Sequence, residues 1–417
     1  MTRILVLTSM YPPHHEGGYE LSCRDVVERW RSRGHEVTVL ATDMRVPGVG
    51  DPPGERASGV RRDLKWYWDN HEIIKPPFTA RLALERANHA TLASTIDDVR
   101  PEVVSVWAMG AMSLGLLTQI VERGLPLVLV VCDGWLWYGP KVDAWIRPFF
   151  RSRTLGRLAR RLTGVPAELP DLGTSATFCF VSDAIRRWSA ERSRWKPGTS
   201  TVVYSGIDRR DFPPLTGEPG ERPWRWRMLS VGRLDERKGI HVAIEALPQL
   251  PAEATLEILG RGDASYQKRL RELARELGVA DRVRFGVVER SELAGVYGEA
   301  DVVLFPTLWE EPFGLVPVEA MACGTPVIAT GTGGSTEFLI DGVNCVRIPP
   351  GDAAAIADAV RRYAEDPPLR ARVVRGGLRT AEELDVDRLA DVLEAWHLAA
   401  AERFINGRPP ERQLALA

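Results

Sequence analysis

Residues 302–329 read VVLFPTLWEEPFGLVPVEAMACGTPVIA, and the fold prediction starts from this stretch. Val302–Phe305 is a short apolar run typical of a buried strand, and Val316–Met321, after a loop, has helical spacing. Beyond Gly324, a second apolar run at Val327–Ala329 predicts the next strand. A strand, a helix and a strand in succession indicate parallel strands joined by a crossover helix.

The same alternation runs through most of the 417 residues. In the first half the predicted strands are 3–10, 37–41, 103–107, 127–131, 177–181 and 201–204, and the predicted helices are 19–33, 81–99, 112–123 and 184–190. In the second half the predicted strands are 228–231, 256–259, 283–285, 302–305 and 327–329, and the predicted helices are 240–250, 266–277, 291–297 and 316–321. Residues 353–398 are predicted to be almost entirely helical. Residues 43–78 are rich in Pro, Gly and charge, and we predict an irregular segment there.

The composition excludes several classes of protein. Hydrophobic residues make up 44% and charged residues 26%, which is typical of a soluble globular protein. The chain has 54 Lys and Arg against 56 Asp and Glu, so it lacks the basic excess expected of a nucleic-acid binder. No apolar run reaches the ~20 residues that a membrane-spanning helix needs. The five cysteines show no paired or metal-type spacing, and we expect a cytoplasmic protein.

The chain is long for one hydrophobic core, because cores stop growing at about 250–300 residues. We therefore predict two doubly wound α/β domains, at 1–208 and 227–385, joined by a Pro- and Gly-rich linker at 209–226. We expect a final helix at 386–417 to pack back on the N-terminal domain. Ligands of doubly wound sheets bind beyond the carboxyl ends of the strands. Two facing domains would bind their ligands across a central cleft.

Two glutamates carry the strongest functional signal. Glu311 lies in the loop before the predicted helix, and Glu319 lies within that helix. Carboxylates accept hydrogen bonds from sugar hydroxyls and from a ribose diol. Gly314, beside the helix start, lets a ligand approach the unpaired backbone N–H groups, which suit a phosphate. The alternative is that both glutamates are solvated residues of a surface helix. Pro-Phe-Gly follows Glu311 directly and Ala-Met-Ala-Cys-Gly follows Glu319, and this combination is unlike a chance pair of glutamates.

Two cations open the second half of the chain. Arg233 follows the strand at 228–231, and Lys238 precedes the next helix. An arginine and a lysine at the carboxyl end of a strand suit a diphosphate, because Arg binds it through two N–H groups and Lys as a point charge. Alone, this pair is more often solvent-facing. Because the Arg233–Lys238 pair lies in the same half of the chain as Glu311 and Glu319, we predict a site for a sugar diphosphate there.

With these motifs the chain resembles glycosyltransferase family 4, whose members are retaining enzymes with the GT-B fold of two Rossmann-like domains. The resemblance implies that Glu311 binds the transferred sugar, that Glu319 binds the nucleotide ribose, and that Arg233 and Lys238 hold the diphosphate. The donor-binding residues that it implies are Gly17, Gly18, Arg233, Lys238, Val287, Glu311, Phe313, Gly314, Leu315, Val316 and Glu319. It also implies metal-independent transfer, so we expect no metal and no cofactor besides the nucleotide-sugar co-substrate. Asp385-Val386-Asp387 is interpreted as a helix cap and not as a metal-binding pair.

One position departs from the family pattern. Many members carry a histidine that faces the sugar where this chain has Cys132, followed by Asp133. Asp133 either takes a polar, catalytic role toward the sugar or caps a turn. Cys132 is interpreted as a packing residue, since no cationic partner is apparent nearby. The catalytic residues expected are therefore Asp133, Glu311, Arg233 and Lys238.

The acceptor is expected to contact residues near the N-terminal strands, namely His14, His15, Trp135 and Trp137. Residues 135–162 combine Trp, Arg and Leu, and three interpretations of them remain open. They form a lid over the acceptor, or an amphipathic surface that docks peripherally on anionic lipid through 145–162, or a solvated arginine face over an apolar stripe.

The sequence thus predicts a retaining hexosyltransferase. It would move a sugar from a nucleotide diphosphate sugar, UDP-linked in preference to GDP-linked, to a hydroxyl of a small-molecule acceptor such as a secondary metabolite. A lipid-linked or polysaccharide acceptor is the alternative, as is a non-catalytic nucleotide-sugar binding protein. A different enzyme on the same fold, such as an epimerase or a phosphorylase, is the remaining alternative.

Overall fold

The computed structural model describes residues 1–69, 72–214 and 222–405. The chain divides into two compact units, the first made of Met1–Tyr204 together with the residues from Leu389 onward, and the second of Ser205–Arg388. Of the predicted linker, residues 215–221 lie outside the described residues, and so do residues 406–417 of the predicted C-terminal helix. The described part of that linker includes Phe212, which is buried and packs on Tyr297 of the second unit.

The strands of the first unit are β1 (Arg3–Leu7), β2 (Glu36–Thr42), β3 (Val60–Leu64), β4 (Trp68–Asp69), β5 (Glu72–Ile73), β6 (Val103–Val106), β7 (Leu127–Val131), β8 (Ala176–Phe180) and β9 (Thr199–Val202). Seven of them form one sheet whose paired strands all run parallel, in the order β3-β2-β1-β6-β7-β8-β9. Strands β4 and β5 form a separate antiparallel pair. The central strands β6 and β7 are buried along their whole length and almost entirely apolar, because helices cover both faces of a parallel sheet.

The helices of the first unit lie between its strands, with three in succession between β7 and β8. They are α1 (Gly18–Ser32), α2 (Phe78–Val99), α3 (Gly115–Glu122), α4 (Trp135–Val142), α5 (Arg153–Thr163), α6 (Leu172–Ser175) and α7 (Asp183–Arg192). Among the described residues, every helix is too short or too polar to cross a lipid bilayer.

The prediction that residues 43–78 are irregular is wrong in part, because β3 lies there at the edge of the sheet. Its sequence, Val-Arg-Arg-Asp-Leu, hides the strand because three of its five residues are charged. Arg62 is nevertheless buried, since its guanidinium pairs with Glu55 at 2.6 Å and donates to the carbonyl of Tyr11 at 2.8 Å. A paired arginine can thus occupy an inward position that the sequence pattern assigns to solvent.

The strands of the second unit are β10 (Arg227–Val231), β11 (Thr255–Leu259), β12 (Val283–Gly286), β13 (Val302–Phe305), β14 (Val327–Ala329) and β15 (Val346–Arg347). They form a six-stranded parallel sheet with the order β12-β11-β10-β13-β14-β15. Its helices are α8 (Ile240–Ala246), α9 (Ala264–Glu276), α10 (Leu293–Glu299), α11 (Leu315–Ala322), α12 (Ala353–Glu365) and α13 (Pro367–Glu383). Of the strands of this sheet, the sequence analysis failed to predict the two-residue edge strand β15.

The last helix, α14 (Val386–Ile405), begins in the second unit and packs mainly on the first. The Asp385 carboxylate accepts a hydrogen bond from the Asp387 N–H at 2.8 Å, which is the helix cap that the sequence suggested. Along α14, Glu394 pairs with His35 at 2.8 Å, and the His397 ring meets the Trp30 ring edge-on at 4.8 Å. These contacts attach the helix to the end of α1.

Candidate active site

In the second unit, the residues predicted to bind the donor gather at one edge of the sheet. Arg233 and Lys238 follow β10, Val287 follows β12, and Glu311 follows β13. Because all paired strands of this sheet are parallel, their carboxyl ends meet at the same edge. The loops after the neighbouring strands β10 and β13 therefore bring Lys238 and Glu311 together although they are 73 residues apart, and Val287 lies at the same edge beyond β12.

Lys238 and Glu311 form an ion pair at the centre of this edge, with 2.7 Å between Lys238 Nζ and Glu311 Oε2. The approach depends on Gly239, whose φ of 67° is left-handed and whose added Cβ would lie 2.0 Å from the carbonyl oxygen of Pro306. A larger residue would push this loop away from the end of β13. The close backbone contact thus holds Lys238 against the Glu311 loop.

The Glu311 side chain is held by a residue that the sequence interpretation missed. Trp309 Nε1–H donates to Glu311 Oε2 at 2.9 Å. The loop itself packs on Gly333, where an added Cβ would lie 2.5 Å from the carbonyl oxygen of Glu311. Gly334 N–H donates to that same carbonyl oxygen at 2.7 Å. The Glu311 carboxylate is therefore fixed through both its side chain and its backbone.

Arg233 is held less closely by carboxylates than Arg237 and Lys238 are. Its side chain is half exposed, and Arg233 Nε lies 4.0 Å from Asp235 Oδ2. Asp235 instead accepts a hydrogen bond from Arg237 Nε at 2.9 Å, and chiefly this contact lowers the pKa of Asp235 to about 2. With Asp235 engaged by Arg237, the Arg233 guanidinium can bind an anion.

The start of α11 supplies the backbone groups of the site. Gly314 precedes the helix with a φ of 97°, and an added Cβ there would lie 3.0 Å from the Phe305 ring. Phe313 is buried against Phe338, with 4.9 Å between ring centroids. Leu315 and Val316 open the helix, where N–H groups have no partner within the helix. Such a helix start can bind a phosphate oxygen.

Glu319 lies within α11, with only 7% of its side chain exposed. Tyr297 O–H donates to Glu319 Oε2 at 2.8 Å, and Arg290 Nη1 donates to Glu319 Oε1 at 3.2 Å. Burial and the adjacent carboxylate raise the pKa of Tyr297 well above its ordinary value. The sequence interpretation missed Arg290 and Tyr297, because neither belongs to a motif with Glu319. Val287, predicted to lie near the nucleotide base, is exposed at the end of β12.

In the first unit, the corresponding sheet edge carries Asp133 at the end of β7. Both of its carboxylate oxygens are held: Oδ1 accepts from Trp135 N–H at 3.0 Å, and Oδ2 accepts from Tyr138 O–H at 2.7 Å. Burial raises the pKa of Asp133 above its ordinary value. The Asp133 carboxylate is thus positioned and more readily protonated than a solvated one.

Cys132 and the glycine pair border the same edge. Burial raises the pKa of the Cys132 thiol well above its ordinary value, so the thiol stays protonated at neutral pH, as expected of a packing residue. Gly17 precedes α1 and Gly18 begins it, and Gly17 N–H donates to Glu20 at 3.1 Å. The pair therefore stands at a helix start, beyond the end of β1.

The residues expected to bind the acceptor take different positions. His14 is buried, and both ring nitrogens are used: Nδ1 accepts from Val46 N–H at 3.2 Å, so Nε2 donates to Asp51 at 2.7 Å. Trp135 is 1% exposed and belongs to the core. His15 is half-buried in the loop after β1. Trp137 is exposed, with Lys141 Nζ 3.6 Å above its ring. Acceptor binding by these residues stays a prediction, and Trp137 has the most accessible ring.

Within residues 1–69, 72–214 and 222–405, no three His, Cys, Asp or Glu side chains are grouped so as to hold a metal ion. The expectation of metal-independent transfer stays a prediction.

Two family models match successive parts of the chain. Glycosyltransferase Family 4 matches residues 16–211, and Glycosyl transferases group 1 matches residues 216–379. A phosphatidyl-myo-inositol mannosyltransferase of Mycobacterium leprae is 36% identical over 382 residues, covering 88% of this chain and 89% of that protein. The chain belongs to glycosyltransferase family 4.

Other relatives of this family 4 glycosyltransferase differ in their named reactions. A glycogen synthase of Mycobacterium tuberculosis is 29% identical over 436 residues, covering 99% of this chain and 98% of that protein. Among solved structures, Anabaena Alr3699/HepE in complex with UDP and glucose has a TM-score of 0.67 at 21% identity, covering 95% of this chain and 99% of that one. Sucrose-phosphate synthase of Thermosynechococcus elongatus has a TM-score of 0.69 at 20% identity, covering 96% and 99%. The predicted GT-B fold class is confirmed.

Proposed function

We propose that this glycosyltransferase retains the anomeric configuration and transfers a hexose from a UDP-linked donor to a hydroxyl of a small molecule. The observation that carries the proposal is the Lys238–Glu311 pair at 2.7 Å, with the half-exposed Arg233 in the same loop region. A sugar diphosphate offers both of the chemistries that this cluster recognises. Its phosphates attract the cations, and its sugar hydroxyls donate to the carboxylate.

The leaving diphosphate is the group that needs stabilisation during transfer. We assign Arg233, Lys238 and the N–H groups at Gly314, Leu315 and Val316 to its developing negative charge. Fixed donors stabilise a developing charge best when they are already oriented, as in an oxyanion hole. Glu319, held by Tyr297 and Arg290, is assigned to the two ribose hydroxyls.

We assign a front-face route, in which the new bond forms on the face of the sugar from which the diphosphate leaves. The bond between the anomeric carbon and the phosphate oxygen breaks, and the acceptor oxygen bonds to that carbon. The acceptor's proton passes to the departing phosphate oxygen. This route needs no histidine base, which accommodates Cys132 where many family members have histidine. We assign Asp133 to accept a hydrogen bond from a substrate hydroxyl.

The choice of UDP rests on two supports. Val287 is exposed at the end of β12, where main-chain groups can hold a base. The Anabaena HepE structures, similar in fold, hold UDP, UDP with glucose, and UDP-glucose.

A second acceptor class is favoured by a separate observation. Helix α5 exposes three leucines, which suits a lipid-linked acceptor at a membrane surface. The named substrates of relatives include both classes, since some are D-inositol 3-phosphate glycosyltransferases and others phosphatidyl-myo-inositol mannosyltransferases.

A thermal-shift titration tests the donor site. UDP, UDP-glucose, UDP-N-acetylglucosamine and GDP-mannose are added to the protein with and without EDTA, since a ligand that binds the native state raises its melting temperature. We expect a shift with UDP and one UDP-sugar, unchanged by EDTA. Arg233→Ala should weaken UDP binding by about tenfold or more, because it removes a charge-assisted hydrogen bond.

The matched control is Arg375→Ala, which removes an exposed arginine from α13 in the same unit. It should bind UDP like the natural protein. Equal weakening by both variants would point to overall charge rather than to this site. The absence of any shift with UDP or a nucleotide sugar would contradict the proposal.

The stereochemistry has its own assay. Once a donor is known, inositol phosphates and simple glycosides serve as soluble acceptors, and proton NMR follows the anomeric signal of the product. An α-linked donor should yield an α-linked product. A β-linked product would exclude retention while leaving donor binding intact.

A further inference from the structure

Helix α5 is attached to the first unit by one side only. Gly156 faces inward, where an added Cβ would lie 2.8 Å from the carbonyl oxygen of Ala167. Arg86 Nη2 donates to the carbonyl of Thr163 at 2.8 Å, and Arg160 Nη2 donates to Glu122 at 2.7 Å. These contacts determine which face of the helix is turned away from the unit.

The outward part of α5 carries three leucines. Leu155, Leu158 and Leu162 are 54%, 52% and 77% exposed. At about 100° per residue they fall within a ~60° arc, so they form one continuous apolar stripe. The arginine face and the apolar stripe that the sequence suggested are thus both present in α5, and the stripe is exposed. The small residue Gly156, and not the leucines, packs inward.

The arginines on the polar face of α5 lack acidic partners. Arg153, Arg157 and Arg161 are exposed, and no carboxylate within the described part of the chain forms an ion pair with them. Arg160, by contrast, is paired with Glu122 and Glu168. The helix contains no acidic residue of its own. At about 100° per residue these three arginines lie roughly 90–170° around the helix from the middle of the leucine stripe. Helix α5 is therefore amphipathic, with an apolar face and a separate, uncompensated positive face.

We propose that α5 docks on an anionic phospholipid surface. The leucines would enter the boundary between headgroups and acyl chains, and the three arginines would contact lipid phosphates. An anionic phospholipid surface is the partner that both features favour. The leucines would contribute nothing to binding a soluble anion, and the arginines would contribute nothing to binding an uncharged apolar partner. The proposal uses no donor-site residue, so it stands or falls independently of the transfer reaction.

Co-sedimentation with vesicles tests the proposal on the full-length protein. One set of vesicles contains phosphatidylcholine alone, and the other contains phosphatidylcholine with phosphatidylglycerol. We expect binding to the second set that weakens as NaCl is raised, because salt screens the arginines. The variant L155S/L158S/L162S should bind at least about tenfold more weakly, since the apolar area drives insertion. The variant R153Q/R157Q/R161Q should lose the preference for phosphatidylglycerol.

The control variant K268Q/R275Q/R375Q removes the same number of positive charges from exposed positions of the second unit, on α9 and α13. It should bind the anionic vesicles like the natural protein. All variants are compared by thermal unfolding and by the UDP-induced shift, which α5 should not affect. Failure to bind anionic vesicles would overturn the proposal and leave an acidic protein as the occupant to test. Equal weakening by the control variant would also overturn it, because binding would then follow net charge.

Discussion

The environment of Glu319 leads to the sharpest prediction about the site. In Glu319→Gln the side-chain oxygen can still accept from Tyr297, since the 2.8 Å hydrogen bond needs only one acceptor. The amide nitrogen then faces Arg290 across 3.2 Å, so two donors oppose each other. Arg290 loses its hydrogen-bonded carboxylate where Glu319 is 7% exposed and Arg290 is 25% exposed, and keeps only the longer 3.8 Å ion pair with Asp211.

The expected loss follows from this geometry. A hydrogen bond to a charged group contributes about 1.5–3 kcal/mol. The 3.2 Å distance is longer than the ~2.7–2.9 Å of the strongest such bonds, which places the loss at about 2 kcal/mol. For a unit of this size that lowers the melting temperature by about 4–8 °C. UDP binding should weaken by about tenfold, because the ribose loses a charged acceptor.

Differential scanning calorimetry measures the stability, and titration with UDP measures the affinity. Glu276→Gln, at the exposed end of α9, is the matched control and should change neither. In a double-mutant cycle, adding Arg290→Met to Glu319→Gln should cost less than the two single losses combined. If Glu319→Gln unfolds and binds UDP like the natural protein, the role assigned to this carboxylate is wrong.

Three further predictions concern the backbone, the pH dependence and Cys132. In denaturant titrations, Gly239→Ala should lower the free energy of unfolding by well over 1 kcal/mol more than Gly278→Ala does. Both glycines have left-handed φ, but only at Gly239 would the new Cβ meet backbone atoms. Equal losses of stability would refute the close approach assigned to Gly239. Burial raises the pKa of Glu85 to about 8, so its protonated form is favoured in the folded protein, and stability should fall as pH rises from about 5 to about 8. Glu85→Gln should flatten that slope, and an unchanged slope would exclude Glu85 as its source. Cys132→Ser should keep sugar transfer within a few-fold while Asp133→Asn loses most of it, and the reverse order in a UDP-release assay would make the thiol the functional group.

The sequence by itself determined the fold class and the family. Apolar runs alternating with helical periods indicate parallel sheets, because a strand covered on both faces must be apolar throughout. The motif from Glu311 to Gly324 then singled out one edge of one sheet, since parallel strands bring their carboxyl ends together. The sequence pattern did not predict strand β3, because its buried Arg62 pairs with Glu55. That partner lies outside the strand, so the strand's own pattern does not reveal it.

Tertiary structure alone decided which groups hold the functional side chains. Arg290 lies 29 residues before Glu319, and Trp309 reaches Glu311 only because of how their loop is folded. His14 looked like a loop residue open to a ligand, yet it is buried with both ring nitrogens engaged. The leucines of α5 show most clearly why the sequence alone could not decide such points. Helical spacing tells which side of a helix is apolar, but whether that side is covered depends on packing from distant parts of the chain.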